Sequence, residues 1–185
     1  RCVATGGDTI EMIEGKVFIN GIQQPQNPNF KYQYKVFTSI PLDPEELKSI
    51  GINQSDIQVR MGLDYVIHLS NKSYKQIKEF DNVKEITKEV TQPHSFNRKV
   101  FPHNTNYAWN TNNFGPLYIP KQGDTIQLTI NNLPLYKRII DVYEKNDLEI
   151  NDDKIYINGA LSNSYIIKMD YYFMLGDNRH FSSDS

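Results

Sequence analysis

The sequence contains the same short pattern twice, at residues 10–21 and again at residues 148–159. Each copy has an alternating apolar segment, an acidic turn, a second such segment and then the pair Asn-Gly. Such turn residues between alternating segments are typical of tight β-hairpins, because Asn, Asp and Gly tolerate the positive φ that these turns require. The repeat therefore predicts two antiparallel hairpins of the same design.

The composition fits this interpretation. Twelve Tyr, nine Phe and many Ile and Val residues favour a mainly antiparallel β architecture, and 38% hydrophobic residues in a chain of 185 can form a substantial core. A net charge of -2 gives no electrostatic reason to expect nucleic-acid binding. The single cysteine, Cys2, excludes an internal disulfide and a cysteine-based metal cage, and we interpret it as a small strand hydrophobe.

The sequence has no run of about 18 apolar residues, so no segment is expected to span a membrane. It begins at Arg1, and no charged and apolar leader follows. These features predict that the chain is a soluble part of a longer polypeptide.

Residues 30–91 differ in texture from their flanks, and a Pro-punctuated linker precedes them. Two short helices are predicted, one with Asp43 as N-cap and proline at its first position, the other capped by Ser70 or Asn71. Alternating segments around them give the order β-α-β-β-α-β, the ferredoxin-like arrangement. Such an insertion is either a docking or substrate-guiding module or a spacer. The predicted domains are an inserted α+β subdomain at 30–91 and a β domain formed by 1–29 and 92–185.

The chain changes abruptly at Gly176, where the apolar segment 171–175 gives way to small polar and charged residues. This change predicts a buried strand that leaves its sheet through a tight turn. One interpretation is an ordinary hairpin with polar decoration. The other rests on the ordered string G-D-N-R-x-x-S-x-D-S, whose fixed positions are Gly176, Asp177, Asn178, Arg179, Ser182, Asp184 and Ser185.

This string resembles the last signature box of bacterial type I signal peptidases, the membrane-tethered Ser/Lys endopeptidases that remove signal peptides from exported proteins. The family's box continues with an arginine, and this sequence stops just before it. The opening R-C-V-A-x-G-G-D at residues 1–8 is similar to the family's lysine box, with Gly6 where proline is usual. The resemblance places the catalytic lysine immediately before Arg1, outside this chain.

The second copy of the repeat extends backward in a similar way. Residues 113–117 resemble the family's nucleophile box, S-M-x-P-T, and residues 123–126 its later G-D-x-[VI] box. Asn113 stands at the nucleophile position, and an amide nitrogen is not a competent attacking group, so we interpret this copy as a degenerate structural repeat. Lys137, interpreted as part of a strand matching the opening residues, is either a surface lysine or an alternative general base.

In the family's chemistry a buried, neutral lysine takes the proton of a serine hydroxyl, and neither a metal nor a cofactor is required. The positions that match the family imply supporting roles only. Ser182 would orient the lysine amine, Asp177 and Arg179 would form a charge pair that holds the turn, Asn178 would add a hydrogen bond, and Asp184 would pair with an arginine beyond Ser185.

The resemblance implies that the parent protein cleaves after Ala-x-Ala-like sites, while this fragment is inactive by itself. Its partners would be the signal peptides of exported preproteins and the membrane, through an N-terminal anchor that this chain lacks. The implied localisation is the inner membrane, with the catalytic domain on the periplasmic side.

Two other classes stay open: a non-catalytic protein-interaction module derived from a signal peptidase, and a different Ser/Lys protease such as a self-cleaving repressor. The G-D-N-R string argues against the repressor. A triad of His180, Ser182 and Asp184 is disfavoured, because residues this close on one strand point alternately to opposite faces.

The remaining candidate features are weaker. His68, His94 and His103 lack the spacing of a metal site. The aromatic, Asn-rich segment 101–109 is interpreted as a structural surface loop, with sugar or peptide binding as the alternative.

Overall fold

A computed structural model describes residues 1–25 and 28–176. Within these residues the fold is mainly antiparallel β, as predicted, with three short α-helices. The described residues separate into two compact units, one formed by Pro25–Thr91 with Arg1, Leu175 and Gly176, and the other by Cys2–Gln24 together with Gln92–Met174.

The strands and helices have the following bounds. The strands are β1 (Cys2–Thr5), β2 (Thr9–Ile13), β3 (Lys16–Ile19), β4 (Ile22–Gln23), β5 (Tyr32–Thr38), β6 (Ile57–Met61), β7 (Asp64–Leu69), β8 (Val83–Lys88), β9 (Phe114–Tyr118), β10 (Thr125–Gln127), β11 (Leu148–Asn151), β12 (Lys154–Ile157), β13 (Ala160–Leu161), β14 (Ser164–Ile166) and β15 (Tyr172–Met174). The helices are α1 (Pro44–Ser49), α2 (Asn71–Ile77) and α3 (Leu133–Arg138).

The unit Pro25–Thr91 contains a four-stranded sheet in the order β6-β7-β5-β8, in which every neighbouring pair is antiparallel. Along the chain its elements follow one another as β5, α1, β6, β7, α2 and β8. A cluster of buried apolar side chains joins this sheet to the helices. Its members include Val36, Leu47, Ile67, Leu69 and Ile77.

Both predicted helix starts in this unit are confirmed. The Asp43 side chain accepts a hydrogen bond from the Glu45 N–H at 2.8 Å, and Pro44 opens α1. The Ser70 hydroxyl accepts a bond from the Ser73 N–H at 3.1 Å and caps α2. These caps satisfy N–H groups that have no partner inside a helix, which is why the helices begin there.

The predicted repeat is confirmed as two three-stranded meanders with the same register. In the first meander (β2–β4), Ile10 faces Ile19 and Ile13 faces Lys16. In the second meander (β11–β13), Leu148 faces Ile157 and Asn151 faces Lys154.

The same turns close both meanders. The acidic turns have positive φ at Glu14 and Gly15 and at Asp152 and Asp153, while both Asn-Gly pairs have φ of 52° and 77°. Left-handed conformations at two successive turn residues match the twist of the strands that they join.

The surroundings of the two meanders differ. The outer edge of β2 pairs with β9, so the first meander belongs to a four-stranded sheet in the order β4-β3-β2-β9. The second meander forms a sheet of its own, β11-β12-β13, and contributes Ile155 and Ile157 to an apolar cluster with Leu133, Tyr136 and Ile140. Two two-stranded ribbons, β1-β15 and β10-β14, complete the described sheets of the molecule.

The interpretation of the Lys137 segment as a strand is wrong. Leu133–Arg138 is the helix α3, and a π-helical turn over Ile139–Tyr143 continues it. Leu133, Tyr136 and Ile140 are buried. Spacings of three and four residues place them on one side of a helix, and this periodicity overrides the similarity in sequence to the opening residues.

Candidate functional site

The ribbon of β1 and β15 joins the opening motif segment to the strand that precedes the terminal motif. Cys2 faces Met174, Ala4 faces Phe173 and Thr5 faces Tyr172, with an irregularity between Cys2 and Ala4. The pairing continues beyond the strands, because the Leu175 N–H donates to the Arg1 carbonyl oxygen at 2.8 Å. The beginning of the R-C-V-A-x-G-G-D segment therefore lies beside the strand that leads to Gly176.

The predicted supporting residues follow Gly176 directly. Their positions lie outside the described residues, so their predicted roles stay predictions. These residues are Asp177, Asn178, Arg179, Ser182 and Asp184.

A row of aromatic rings packs the Asn-rich loop against this ribbon. Ring centroids lie 4.8 Å apart for Tyr107 and Trp109, 4.6 Å for Trp109 and Phe114, and 5.3 Å for Phe114 and Phe173. These distances are in the range of favourable aromatic contacts. The row links a loop, β9 and β15, and it therefore stabilises the side of β15 opposite the exposed Tyr172 and Met174.

The two Gly-Asp turns are built alike. The Gly7 N–H donates to the Ile119 carbonyl at 2.7 Å, and the Ile119 N–H donates back to the Asp8 carbonyl at 2.8 Å. In the pair Gly123-Asp124, the same two bonds are made with Ile167, both at 2.9 Å. Each turn thus holds a buried isoleucine of another segment by a pair of backbone bonds.

The aspartate of each turn accepts hydrogen bonds that favour its charged form. The Thr5 N–H, 2.9 Å from Asp8 Oδ2, is the main cause of the lowered pKa of Asp8, and Asn20 and the Thr5 hydroxyl add to it. The Tyr118 hydroxyl, 2.6 Å from Asp124 Oδ2, is the main cause of the lowered pKa of Asp124. The same bond raises the pKa of Tyr118 to about 12.

Asn113, at the position matched to the nucleophile, has a structural role. Its Oδ1 accepts a bond from the Glu14 N–H at 3.2 Å, and its backbone exchanges two bonds with Asn110. Asn110 is fully buried, and its side chain also bonds the carbonyls of Gln92 and Ser95. The amide therefore fastens the entry to β9 onto the acidic turn of the first meander.

Lys137, the alternative general base, is exposed on α3. A lysine serves as a base near neutral pH only when burial disfavours its charged form. The exposed position therefore favours the interpretation of Lys137 as a surface residue.

Sequence reasoning missed a polar cluster centred on Glu144. Its carboxylate accepts bonds from the Tyr165 hydroxyl at 2.6 Å, the Lys168 N–H at 2.8 Å and the Tyr171 hydroxyl at 3.1 Å. Asn146, which is buried, donates to the Tyr165 hydroxyl at 2.7 Å and to the Ile140 carbonyl at 2.9 Å. The cluster fixes the π-helical turn against the segment that enters β15.

Burial is the first cause of the altered titration of both tyrosines in this cluster, and Glu144 adds to it. The pKa of Tyr165 is raised to about 12, with the hydrogen bond to Glu144 as the second cause. The pKa of Tyr171 is raised as well, because the nearby carboxylate charge opposes a second negative charge. Both hydroxyls therefore stay protonated as donors far above neutral pH.

No sequence signal identified this cluster, because its members lie on separate elements without a fixed spacing. The residues that sequence reasoning also missed, Tyr118 and Asn110, are of the same kind. Only the Gly-Asp pairs had a recognisable pattern.

Within residues 1–25 and 28–176, no group of His, Cys, Asp or Glu is arranged to hold a metal ion. None of the helices described there is long and apolar enough to cross a membrane. Comparisons with protein families, with curated proteins and with solved structures gave no match.

Proposed function

We propose that this chain is the non-nucleophilic scaffold of a type I signal peptidase, a Ser/Lys endopeptidase that removes signal peptides. The observation that carries the proposal is the pairing of β1 with β15. In the family a lysine box and a terminal G-D-N-R box must meet, and here the strand of the segment that resembles the lysine box pairs with the strand that precedes Gly176. A lysine immediately before Arg1 would continue β1 past the hydrogen bond between Arg1 and Leu175.

The proposed reaction needs a serine supplied by the longer polypeptide. The lysine amine accepts the proton of the serine hydroxyl as the oxygen attacks the peptide carbonyl, and it then donates a proton to the leaving amine. Ser182 orients the amine by a hydrogen bond. Signal peptides of exported preproteins are the proposed substrates, and the inner membrane, on its periplasmic side, is the proposed location.

Peptide cleavage tests the proposal. The chain alone is expected to leave a fluorogenic Ala-x-Ala peptide intact, while the longer polypeptide that contains it cleaves the peptide. In the longer polypeptide, Ser182→Ala is expected to lower kcat by about 10²-fold, the scale of losing one positioning or proton-transfer contact.

Lys137→Met serves as the discriminating variant, and Lys154→Met, another exposed lysine, as its matched control. Both are expected to leave cleavage unchanged. Cleavage by the chain alone that disappears in Lys137→Met would assign the base to Lys137 and overturn the proposal. Full activity of Ser182→Ala would remove the proposed role of Ser182.

A second proposal concerns the unit Pro25–Thr91, which we propose to be a ferredoxin-like module inserted at 30–91 that guides substrates or docks a partner. The order of its elements and the order β6-β7-β5-β8 support the fold. One sheet face bears a groove of about 500 Å³, lined among others by Phe37, Met61 and Glu85. Phe37 is 46% and Met61 74% exposed, and apolar side chains grouped in this way favour a binding surface.

The substrate-guiding role has a separate test. Phe37→Ser combined with Met61→Ser is expected to slow cleavage of a whole preprotein by the longer polypeptide and to leave cleavage of a short Ala-x-Ala peptide unchanged. If the double variant cleaves both substrates at the same rates as the unaltered protein, the spacer interpretation is favoured. In a further outcome the longer polypeptide cleaves no substrate, with or without the two substitutions, while the substitutions abolish binding of a partner. That outcome would favour the non-catalytic interaction module.

A further inference from the structure

The two meanders differ in what lies beside their first strand. In the first meander the outer edge of β2 pairs antiparallel with β9, with Ile10 facing Leu117 and Met12 facing Phe114. In the second meander β11 is the equivalent strand, and no strand within the described ranges 1–25 and 28–176 pairs with its outer edge. The position beside the first strand of the meander is thus occupied by β9 in the first copy, and no described strand occupies it in the second copy.

The backbone groups at this edge follow from the register. Asn151 and Lys154 flank a two-residue turn, so they exchange hydrogen bonds, and so do Glu149 and Tyr156 two residues away. The N–H and C=O groups of Leu148 and Ile150 therefore point away from β12. They correspond to Ile10 and Met12, whose backbone groups face β9.

Exposure of the side chains confirms the difference. Ile10 and Met12 are 0% and 5% exposed beneath the neighbouring strand, whereas Ile150 is 46% exposed. Glu149 and Asn151 on the same strand are also exposed. β11 thus presents an apolar side chain together with unpaired backbone donors and acceptors, the combination used in β-strand addition.

The charge at this edge selects the partner. Residues 147–153 carry four carboxylates and no basic side chain, and all four of these residues are exposed. A second copy of the chain would bring the same charges against its own, so self-pairing is disfavoured. An extended segment with lysine or arginine would complement them. The acidic residues are Asp147, Glu149, Asp152 and Asp153.

We propose that the outer edge of β11 binds an extended, basic peptide segment by antiparallel strand addition, with an apolar side chain of the peptide against Ile150. The peptide would occupy the place that β9 occupies beside β2. This proposal is independent of peptidase activity.

A labelled peptide, Lys-Thr-Phe-Thr-Val-Thr-Lys with blocked ends, tests the inference by amide NMR titration of the full chain. Saturable shift changes are expected at the Leu148 and Ile150 amides. The same peptide with N-methyl groups at alternate residues loses the backbone bonds and is expected to bind about tenfold more weakly. Replacing its lysines by glutamates is expected to weaken binding at least as much.

Two variants separate binding at the edge from folding. Ile150→Pro removes an N–H that β12 does not use, so the hairpin is expected to persist while peptide binding is lost. Ile150→Ala keeps the N–H and removes only the apolar contact, and a partial loss is expected. Ile166→Ala, at another exposed isoleucine on β14, is the matched control and should bind normally.

Three results would overturn the proposal. The first is that the N-methylated peptide binds as tightly as the unmodified one, or that Ile150→Pro binds the unmodified peptide as tightly as the unaltered chain does. The second is that the shift changes are confined to residues away from β11. The third is concentration-dependent dimerisation of the free chain with changes at the same amides, which would make a second copy the occupant.

Discussion

The two meanders have the same strands, turns and register, yet Met12 is buried and the equivalent Ile150 is exposed. Their turns are fixed locally, because Asn, Gly and acidic residues adopt the positive φ of two-residue turns regardless of what lies next to them. Among the described residues only the first meander has a further strand beside its first strand, and that first strand is the more buried of the two. Local sequence thus sets the hairpin, and tertiary context decides which of its faces and edges become interior.

The anchor of each Asn-Gly turn shows a finer difference. Asn20 Oδ1 accepts from the Thr9 N–H at 2.8 Å and its Nδ2 donates to Asp8 at 2.8 Å. Asn158 repeats this arrangement, with Asp147 in place of Thr9 and the buried Asn146 in place of Asp8. In the first anchor the partner of the asparagine is the partly exposed carboxylate of Asp8, and in the second it is the buried side-chain amide of Asn146.

The largest effect on the comparison is expected from Gly115→Ala, which should separate β9 from the first meander. Gly115 has φ of 89°, and a Cβ there would lie 2.6 Å from the Ile10 carbonyl oxygen. This oxygen belongs to the backbone, so it cannot shift as easily as the end of a flexible side chain. We expect a loss of about 3 kcal/mol in unfolding free energy, from overpacking together with left-handed strain. Denaturant unfolding measures it.

Gly21→Ala and Gly159→Ala are the matched controls, because both glycines have φ of 77° with no atom near the added Cβ. They should cost about 1 kcal/mol each, the strain alone. Equal losses for all three variants would mean that the overlap between the added Cβ and the Ile10 carbonyl costs no stability.

An intermediate effect is expected from removing the turn anchors. Asn158→Ala leaves the buried Asn146 without one of its partners, so we expect a loss of about 2 kcal/mol, against about 1 kcal/mol for Asn20→Ala, whose partner Asp8 is partly exposed. Chemical denaturation of the two single variants gives the comparison. A larger loss for Asn20→Ala would show that burial of the partner residue does not decide which anchor contributes more to stability.

The smallest effect is a dependence on pH that only the first anchor should have. Because the folded pKa of Asp8 lies below its ordinary value of 3.8, the stabilisation from Asp8 is present above pH 3.8 and is lost as the pH falls through the folded pKa. Amide exchange at Thr5 and Thr9 is expected to accelerate in that acidic range, and exchange at Asp147 should lack this component. Asp8→Asn should remove the dependence; if it persists in that variant, another group causes it.

The sequence predicted those features that depend on a few neighbouring residues. The β class, the two hairpins and both helix caps follow from turn and capping residues whose hydrogen bonds are local. The strand prediction for the Lys137 segment is wrong, because the helical spacing of Leu133, Tyr136 and Ile140 overrides the similarity of this segment to the opening residues. That spacing was visible in the sequence.

Contacts between distant segments could not be predicted in the same way. Glu144 meets Tyr165 and Tyr171 only because the π-helical turn packs beside the strand entry, and no spacing in the sequence encodes that meeting. The Gly-Asp pairs are recognisable in the sequence, but their backbone hydrogen bonds to Ile119 and Ile167 could not be predicted from it. For the candidate site, the motifs were visible in the sequence, whereas the pairing of β1 with β15 is known only from the fold.

The ribbon of β1 and β15 joins segments from nearly opposite ends of the described chain. During synthesis on the ribosome, β1 emerges before β15 and cannot pair with it until the residues between them have been translated. Closing so long a loop is slow compared with forming a hairpin, so the ribbon is expected to assemble late, after the meanders. A nascent chain that stalls before β15 would therefore display an unpaired first strand, which is a natural target for chaperones.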